Sequence, residues 1–263
     1  MSARRPILMS LPERGRNSLY SRFFYAARAA RWPQPFARAP LRHAPALAMV
    51  DLLPGDVISG HIAFTGEYEP ELSRRIAALA LDGGLLVDVG ANMGYFTLLW
   101  AAARPDNRVV AFEASPPVYA RLARNVAANN LDARIEAVPK AALDRSGEIV
   151  FDTGAAGQTG WGGLAADGAT GIAVPAVRLD ETLGDRAVAV LKIDVEGADM
   201  LVLRGCAGLL AERRIGTVFY ESNPTRMRDL GLAADAAEAF LGDYGYRAEP
   251  LNREQTEWIA TPR

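Results

Sequence analysis

Five carboxylates stand where they could do chemistry. Asp88 precedes a glycine turn, Gly90-Ala91-Asn92-Met93-Gly94, and Glu113 ends the next apolar run. Asp194 and Glu196 follow a third such run, and Glu221, with Asn223 two residues on, ends a fourth. Apolar runs of this kind read as strands, and in open α/β sheets ligands collect at the carboxyl ends of the strands. Like charges gathered there repel and raise one another's pKa unless a cation joins them. A matching ligand therefore carries positive charge together with hydroxyls. S-adenosylmethionine has both: its ammonium, sulfonium and ribose diol suit Asp88 and Glu113, and its carboxylate suits Asn92 or the N–H groups of the turn. A nicotinamide dinucleotide is the rival ligand, since an acid after a glycine turn also grips a ribose. Its pyrophosphate would meet the Asp88 carboxylate, however, and Gly90 to Gly94 lacks the G-x-G-x-x-G spacing.

The elements that must position these groups alternate in type. LLVDVG (85–90) predicts a buried strand and Tyr95–Ala103 a helix. RVVAFEA (108–114) predicts a second strand, after which Pro116 and Pro117 open a helix, and RIEAV (134–138) a third. AVAVLKIDVEG (187–197) is the fourth, with a helix from Asp199, and GTVFYES (216–222) the fifth, with a helix over Thr225–Leu241. YRAEP (246–250) and EWIAT (257–261) predict an antiparallel pair. The order points to an α/β fold, a doubly wound, mostly parallel sheet with helices on both faces. An insertion lies between the third and fourth strands, with short strands at 148–152 and 172–177 around the loop TGAAGQTGWGGLAADG (153–168).

The 263 residues are 50% hydrophobic and 23% charged, with a net charge of −2, which excludes a disordered chain. A single Cys206 excludes an internal disulfide and a thiolate metal cluster, and suggests a reducing, cytoplasmic setting. Residues 1–42 hold nine arginines against Glu13, a net +8 that leaves −10 on the rest of the chain. So acidic a body predicts no nucleic-acid partner. The division suggested is a basic, aromatic extension over 1–45 and one domain over 46–263. Residues 18–31 can form a short amphipathic helix before Pro33, Pro35 and Pro40 break it. Two readings of it stand: a helix packed on the domain or on a partner subunit, or a peripheral membrane contact through residues 1–42 at the inner membrane face. Leu85 to Ala103 is apolar but for Asp88, yet Asp88, Gly90, Asn92 and Gly94 mark a strand–turn–helix and not a membrane span.

VDVGANMGYFTLLWA (87–101), AFEASPPVYARLARNVAANN (111–130), LKIDVEGADMLVLRGC (191–206) and the upstream GEYEPEL (66–72) resemble the FkbM-type S-adenosylmethionine-dependent methyltransferases. The likeness covers roughly residues 60–225, and KIDVEG is its most specific segment. It implies a class I methyltransferase, Rossmann-like fold whose seven-stranded sheet has an antiparallel last strand. It also implies O-methylation of a hydroxyl on a small molecule, a sugar or a lipid-linked glycan. The cofactor site implied comprises Asp88, Gly90, Asn92, Gly94 and Glu113, with Asp194 and, near the methionine end, Tyr68 and Glu69. Asp194, Glu196 and Gly197 match the motif at the fourth strand. Residues 1–45 and the loop 153–170 have no such match, so no acceptor is implied.

Methyl transfer is an in-line displacement, driven mostly by alignment and by exclusion of bulk water. An alcohol is a poor nucleophile, so a base or a metal should help. Asp194, Glu196 and Glu221 are the candidate bases, with His61 ranked behind them. Asp194 with Glu221 and Asn223 also resembles the Mg²⁺ set of catechol-type methyltransferases. The opposing reading has Asp194 binding cofactor and Glu221 pairing with an arginine such as Arg226. Cys206 shares an apolar helix stripe with Leu203 and Leu210 and reads as a core thiol. The loop around Gln158 and Trp161 reads as a substrate lid over 153–170, Trp161 being costly to leave exposed. Two other classes oppose the methyltransferase: a nicotinamide-dependent oxidoreductase, for which no Tyr–Lys or Cys/His set assembles, and a non-catalytic membrane-surface binding module.

Overall fold

The apolar runs pair edge to edge into one sheet, and the insertion builds a second. The computed structural model describes Pro12, Gly15, Leu19, Tyr20, Arg22, residues 33–166 and residues 169–263. Most of the basic helix expected over 18–31 lies outside the described residues. A hairpin, β1 (Arg38–Pro40) with β2 (Ala48–Val50), comes first. The strands β3 (Leu85–Val89), β4 (Arg108–Phe112) and β5 (Ile135–Val138) follow, each after a helix. The insertion carries β6 (Ala141–Ala142), β7 (Gly147–Asp152), β8 (Gly163–Leu164) and β9 (Ile172–Val177), paired in the order β6-β9-β7-β8. The chain then returns with β10 (Val188–Ile193), β11 (Ile215–Glu221), β12 (Tyr246–Pro250) and β13 (Glu257–Pro262).

The main sheet has seven strands in the order β12-β13-β11-β10-β3-β4-β5. β3 is parallel to β4 and β10, β10 to β11 and β4 to β5, while β13 is antiparallel to β11 and β12. This is the class I methyltransferase fold, with its antiparallel last strand. From β3 the chain moves outward through β4 and β5, and from β10 it moves the opposite way. The reversal opens a crevice beyond the carboxyl ends of β3 and β10, the place where such sheets bind ligands. Leu86, Val109 and Val190 face a core with Trp100 and Leu122, and Val87, Val110 and Leu191 face another with Leu203 and Leu210. Burial on both faces explains why these strands read as continuous apolar runs without alternation.

Two expectations are corrected. The helix expected over Thr225–Leu241 is two, Pro224–Asp229 and Ala236–Asp243, because Gly231 between them turns left-handed at φ +70°. The boundary drawn at residue 45 falls inside the β1–β2 turn, and Phe36, Ala39 and Leu41 are buried in the same core as Ile62 and Phe64. Asn125 Oδ1 and Asn129 Oδ1 accept from the N–H groups of Val50 and Ala48 at 2.7 and 3.0 Å, fastening that hairpin to the helix Pro116–Ala128. Among the described residues no helix is long and apolar enough to cross a membrane.

Candidate active site

The turn after β3 owes its shape to contacts that a side chain would block. Gly90 has φ +73°, and a Cβ there would lie 1.9 Å from the Asp194 carbonyl oxygen, so the ends of β3 and β10 touch. Gly94 has φ +91°, and its Cβ would fall 2.6 Å from Leu122 Cδ1, where the helix Tyr95–Ala103 meets the helix Pro116–Ala128. Asn92 is also left-handed, at φ +51°. An Asn side chain tolerates this by bonding locally, and here Asn92 Oδ1 accepts from Met93 N–H at 2.7 Å.

Glu113, at the end of β4, is 8% exposed and faces this turn. Its Oε2 accepts from Asn92 N–H at 2.9 Å and its Oε1 from Ser115 N–H at 2.8 Å. Burial pushes its pKa up to about 7, and the two backbone N–H groups work against that rise. Each oxygen takes one backbone donor and keeps a second acceptor direction, which is what a ribose diol needs.

Asp88 is a correction. It is fully buried and does not line the cavity that Gly90, Asn92 and Glu113 share. Its Oδ2 accepts from Thr97 Oγ1–H at 2.6 Å, and its Oδ1 lies 3.6 Å from Lys192 Nζ. Pleating turns its side chain to the face of Leu86, beneath the turn, so it supports the site from below. Gly94 likewise does not line the cavity; its part is packing.

The remaining acids ring the other end of the cavity. Tyr68 and Glu69 line it from the start of the helix Pro70–Leu79, Glu69 in left-handed backbone at φ +43°. Asp194, Glu196 and Glu221 line it from β10 and β11. Burial pushes Glu69 up to about 8, with Asp194 raising it further and Lys192 opposing. Burial likewise pushes Glu221 up to about 9, with Asp194 and Asp199 adding to the rise. Glu196 Oε2 accepts from Asn223 Nδ2–H at 3.4 Å. Asp194 Oδ2 is 3.2 Å from Lys192 Nζ. The Glu221 carboxylate oxygens accept no hydrogen bond among the described residues, while its N–H donates to Asp199 Oδ1 at 3.0 Å. Arg226, a suggested partner for Glu221, instead donates to the Trp161 carbonyl at 3.0 Å.

The glycine-rich loop forms part of the cavity wall, though burial of its tryptophan is not what places it there. Trp161 is 51% exposed, so burial of that ring does not hold the loop. A latch at residues 55–57 does. Asp56, 3% exposed, accepts at Oδ1 from Thr159 N–H at 2.8 Å and at Oδ2 from Ser59 N–H at 2.8 Å. Gln158 accepts from Val57 N–H at 3.2 Å and donates to the Gly55 carbonyl at 3.0 Å. The fastened segment Thr159, Gly160, Gly162 and Gly163 forms part of the cavity wall. Asp167 and Gly168, at the far side of the expected lid, lie outside the described residues.

Two other candidates, His61 and Cys206, fall away from the cavity. His61 stacks near Tyr20, ring centroids 4.3 Å apart, and burial pushes it down to about 4. Cys206 is buried and donates to the Leu203 carbonyl. Of the trio suggested for Mg²⁺, Asn223 Oδ1 accepts from Arg226 N–H and caps a helix, and Asp194 pairs with Lys192. Among the described residues no group of three or more His, Cys, Asp or Glu could hold a metal ion.

Sequence reasoning passed over Lys192, Asp199 and the Asp56 latch. A lone lysine inside the run AVAVLKI was the available signal for the first, since lysine is rarely buried without partners. No local pattern announces the other two. The cavity runs from Glu113 and the glycine turn at one end to Glu69, Asp194 and Glu221 at the other. Leu143, Ile149 and Phe151 of the insertion give it an apolar wall suited to a purine, with Glu113 for a ribose and the acids near Glu69 for cationic groups. The residues present therefore fit S-adenosylmethionine.

Known proteins resemble this chain along most of that framework. The Methyltransferase FkbM domain matches residues 88–248. Methyltransferase 1 of Beauveria bassiana (strain ARSEF 2860) is 29% identical over 148 residues, covering 47% of this chain and 59% of that protein. Methyltransferase sdnD of Sordaria araneosa is 26% identical over 206 residues, covering 66% of this chain and 76% of that protein. Among solved structures, the O-methyltransferase from Bacillus cereus in complex with SAH aligns with 75% of this chain and 83% of its own, at 15% identity and a TM-score of 0.44.

Proposed function

This chain belongs to the Methyltransferase FkbM domain family, and from that premise we propose that it methylates a hydroxyl oxygen of a small molecule, a sugar or a lipid-linked glycan. Membership makes it an S-adenosylmethionine-dependent methyltransferase, which displaces the nicotinamide-dependent and non-catalytic readings. When bound, S-adenosylmethionine supplies a methyl group made electrophilic by its sulfonium. Glu113 would hold the ribose, the turn Gly90–Met93 the methionine carboxylate, and Tyr68, Glu69 and Asp194 the cationic end.

One observation carries the choice of a hydroxyl acceptor. Glu221 presents to the cavity a carboxylate that no described residue bonds, with a pKa pushed up to about 9 by burial and by Asp194 and Asp199. A carboxylate this basic can take the proton of an alcohol as its oxygen becomes nucleophilic. A cationic donor alongside would lower that pKa and so favour the ionised base. Asp199, by accepting the Glu221 N–H, fixes where the side chain starts. The lid segment Thr159–Gly163 would exclude water from the reacting oxygen. A lipid-linked acceptor would also give the +8 charge of residues 1–42 a use at an anionic membrane surface. The −10 of the remaining chain argues against a nucleic-acid acceptor.

Calorimetric titration with S-adenosylmethionine, S-adenosylhomocysteine and NAD, with and without Mg²⁺, tests the donor. Saturable binding of both adenosyl compounds and none of NAD is expected. Glu221→Gln should bind the donor within about twofold of wild type but slow methyl transfer by roughly 100-fold or more, read as radiolabel moved from donor to a panel of glycans and lipid-linked sugars. A Glu221→Gln protein that loses donor affinity instead would place Glu221 in the donor pocket and remove the base.

A further inference from the structure

Lys192 is one of only two lysines in a chain whose other 27 cationic residues are arginines. It sits mid-sheet on β10, in register with Asp88 on β3 and Phe219 on β11, and is 3% exposed. Its Nζ meets three oxygens: it donates to the Gly90 carbonyl at 3.3 Å and to Asp194 Oδ2 at 3.2 Å, and it lies 3.6 Å from Asp88 Oδ1, an ion pair without a hydrogen bond. Its fourth neighbour is the Phe96 ring, 5.2 Å to the centroid. An ammonium has three N–H donors and points them in three directions, whereas a guanidinium spreads its donors in one plane. The three oxygens come from three pieces of chain, namely the end of β3, the glycine turn and the end of β10. The turn and the β10 end already touch at Gly90 and Asp194. Without a cation between them, Asp88 and Asp194 would repel across that contact.

We propose that Lys192 is a positioning residue for methyl transfer, its ammonium tying the Gly90 carbonyl to the Asp194 carboxylate so that the donor-binding turn and the cavity's acids keep one fixed spacing. This rests on the donor reading above. A rival role is plain charge balance for the buried Asp88, and the two separate cleanly. Lys192→Met alone leaves Asp88 and Asp194 without their cation and is expected to melt lower. The double variant Lys192→Met/Asp88→Asn removes the buried pair together, so it should fold, yet it still lacks the tie between Gly90 and Asp194.

Titration calorimetry with S-adenosylmethionine, alongside a melting curve for each protein, decides the matter. The double variant is expected to melt near wild type and to bind the donor roughly tenfold or more weakly, the scale of one lost charge-assisted hydrogen bond. Ethylamine added to Lys192→Ala should restore part of the lost affinity by lending its ammonium to the same three oxygens. A double variant that binds as wild type does, or that fails to fold, assigns Lys192 to the core alone and overturns the proposal. Failure of the wild-type protein to bind the donor would overturn the functional reading itself, a distinct result.

Discussion

The turn after β3 and the loop after β7 face each other across one cavity, and both are rich in glycine, yet they are tied to the rest of the fold differently. In the turn, Gly90 meets the Asp194 backbone carbonyl, Gly94 meets the packed Leu122 side chain, and the Asn92 N–H is fixed by the Glu113 carboxylate. In the loop, Gly154 is likewise forced by backbone, at φ +70° with its Cβ position 2.6 Å from the Trp161 carbonyl, but a Cβ on Gly160 would meet only side chains, those of Ile58 and Asn92. The loop is held by the side chains of Asp56 and Gln158. A shape made by sheet backbone changes only if the sheet does. A shape made by a few side-chain hydrogen bonds can be released at a cost of about 1 kcal/mol each. The wall made by the turn is therefore rigid, and the wall made by the loop can be released.

That contrast can be broken first at the two glycines. Gly90→Ala should cost about 3 kcal/mol or more, because the new methyl overlaps a backbone oxygen in a left-handed turn, and donor binding should vanish with it. Gly160→Ala should shift Tm little, since Ile58 can move. Comparable losses in both, by thermal melting, would show that the loop is as constrained as the turn.

Proton linkage offers the next largest effect. Glu113, Asp199, Glu69 and Glu221 are raised to about 7, 7, 8 and 9. A carboxyl group raised on folding holds its proton more tightly in the folded state, so its stabilising share is complete below the ordinary carboxylate range and is lost as pH climbs through the raised value. The ligand-free protein should thus melt progressively lower from pH 5 to pH 9. The Tm gain from S-adenosylmethionine, which brings a cation, should grow over the same interval. A flat Tm profile would mean that water or salt already relieves these acids.

A more local effect is expected at the latch. Asp56→Ala removes the cap of the helix Val57–Thr65 as well as the bond to Thr159, and should lower stability by about 1–2 kcal/mol. Amide exchange at Thr159–Gly163 should quicken while that of Gly90–Gly94 stays unchanged, with donor affinity within about twofold. Faster exchange in the turn would join the two regions into one unit and end the contrast.

Much of this was legible in order along the chain. LLVDV, RVVAF and AVAVLKI announce buried strands by composition alone, and the acids and glycines that follow them announce a ligand edge. The two-stranded tail was legible because YRAEP and EWIAT lie within hairpin reach. The role of Asp88 was not, because strand ends expose one residue to the cavity and hide the next, and a shift of one position reverses the reading. The break at Gly231 was missed because one glycine inside a helical pattern is usually tolerated.

The sequence by itself determined the sheet, the glycine turn and the family, since strand periodicity and turn chemistry act between neighbours along the chain. Tertiary structure alone decided which carboxylates face the cavity, that Lys192 binds Gly90 102 residues away, and that Asp56 latches a loop 103 residues away. Those contacts depend on distance in space. The fold sets that distance only once every strand has found its place.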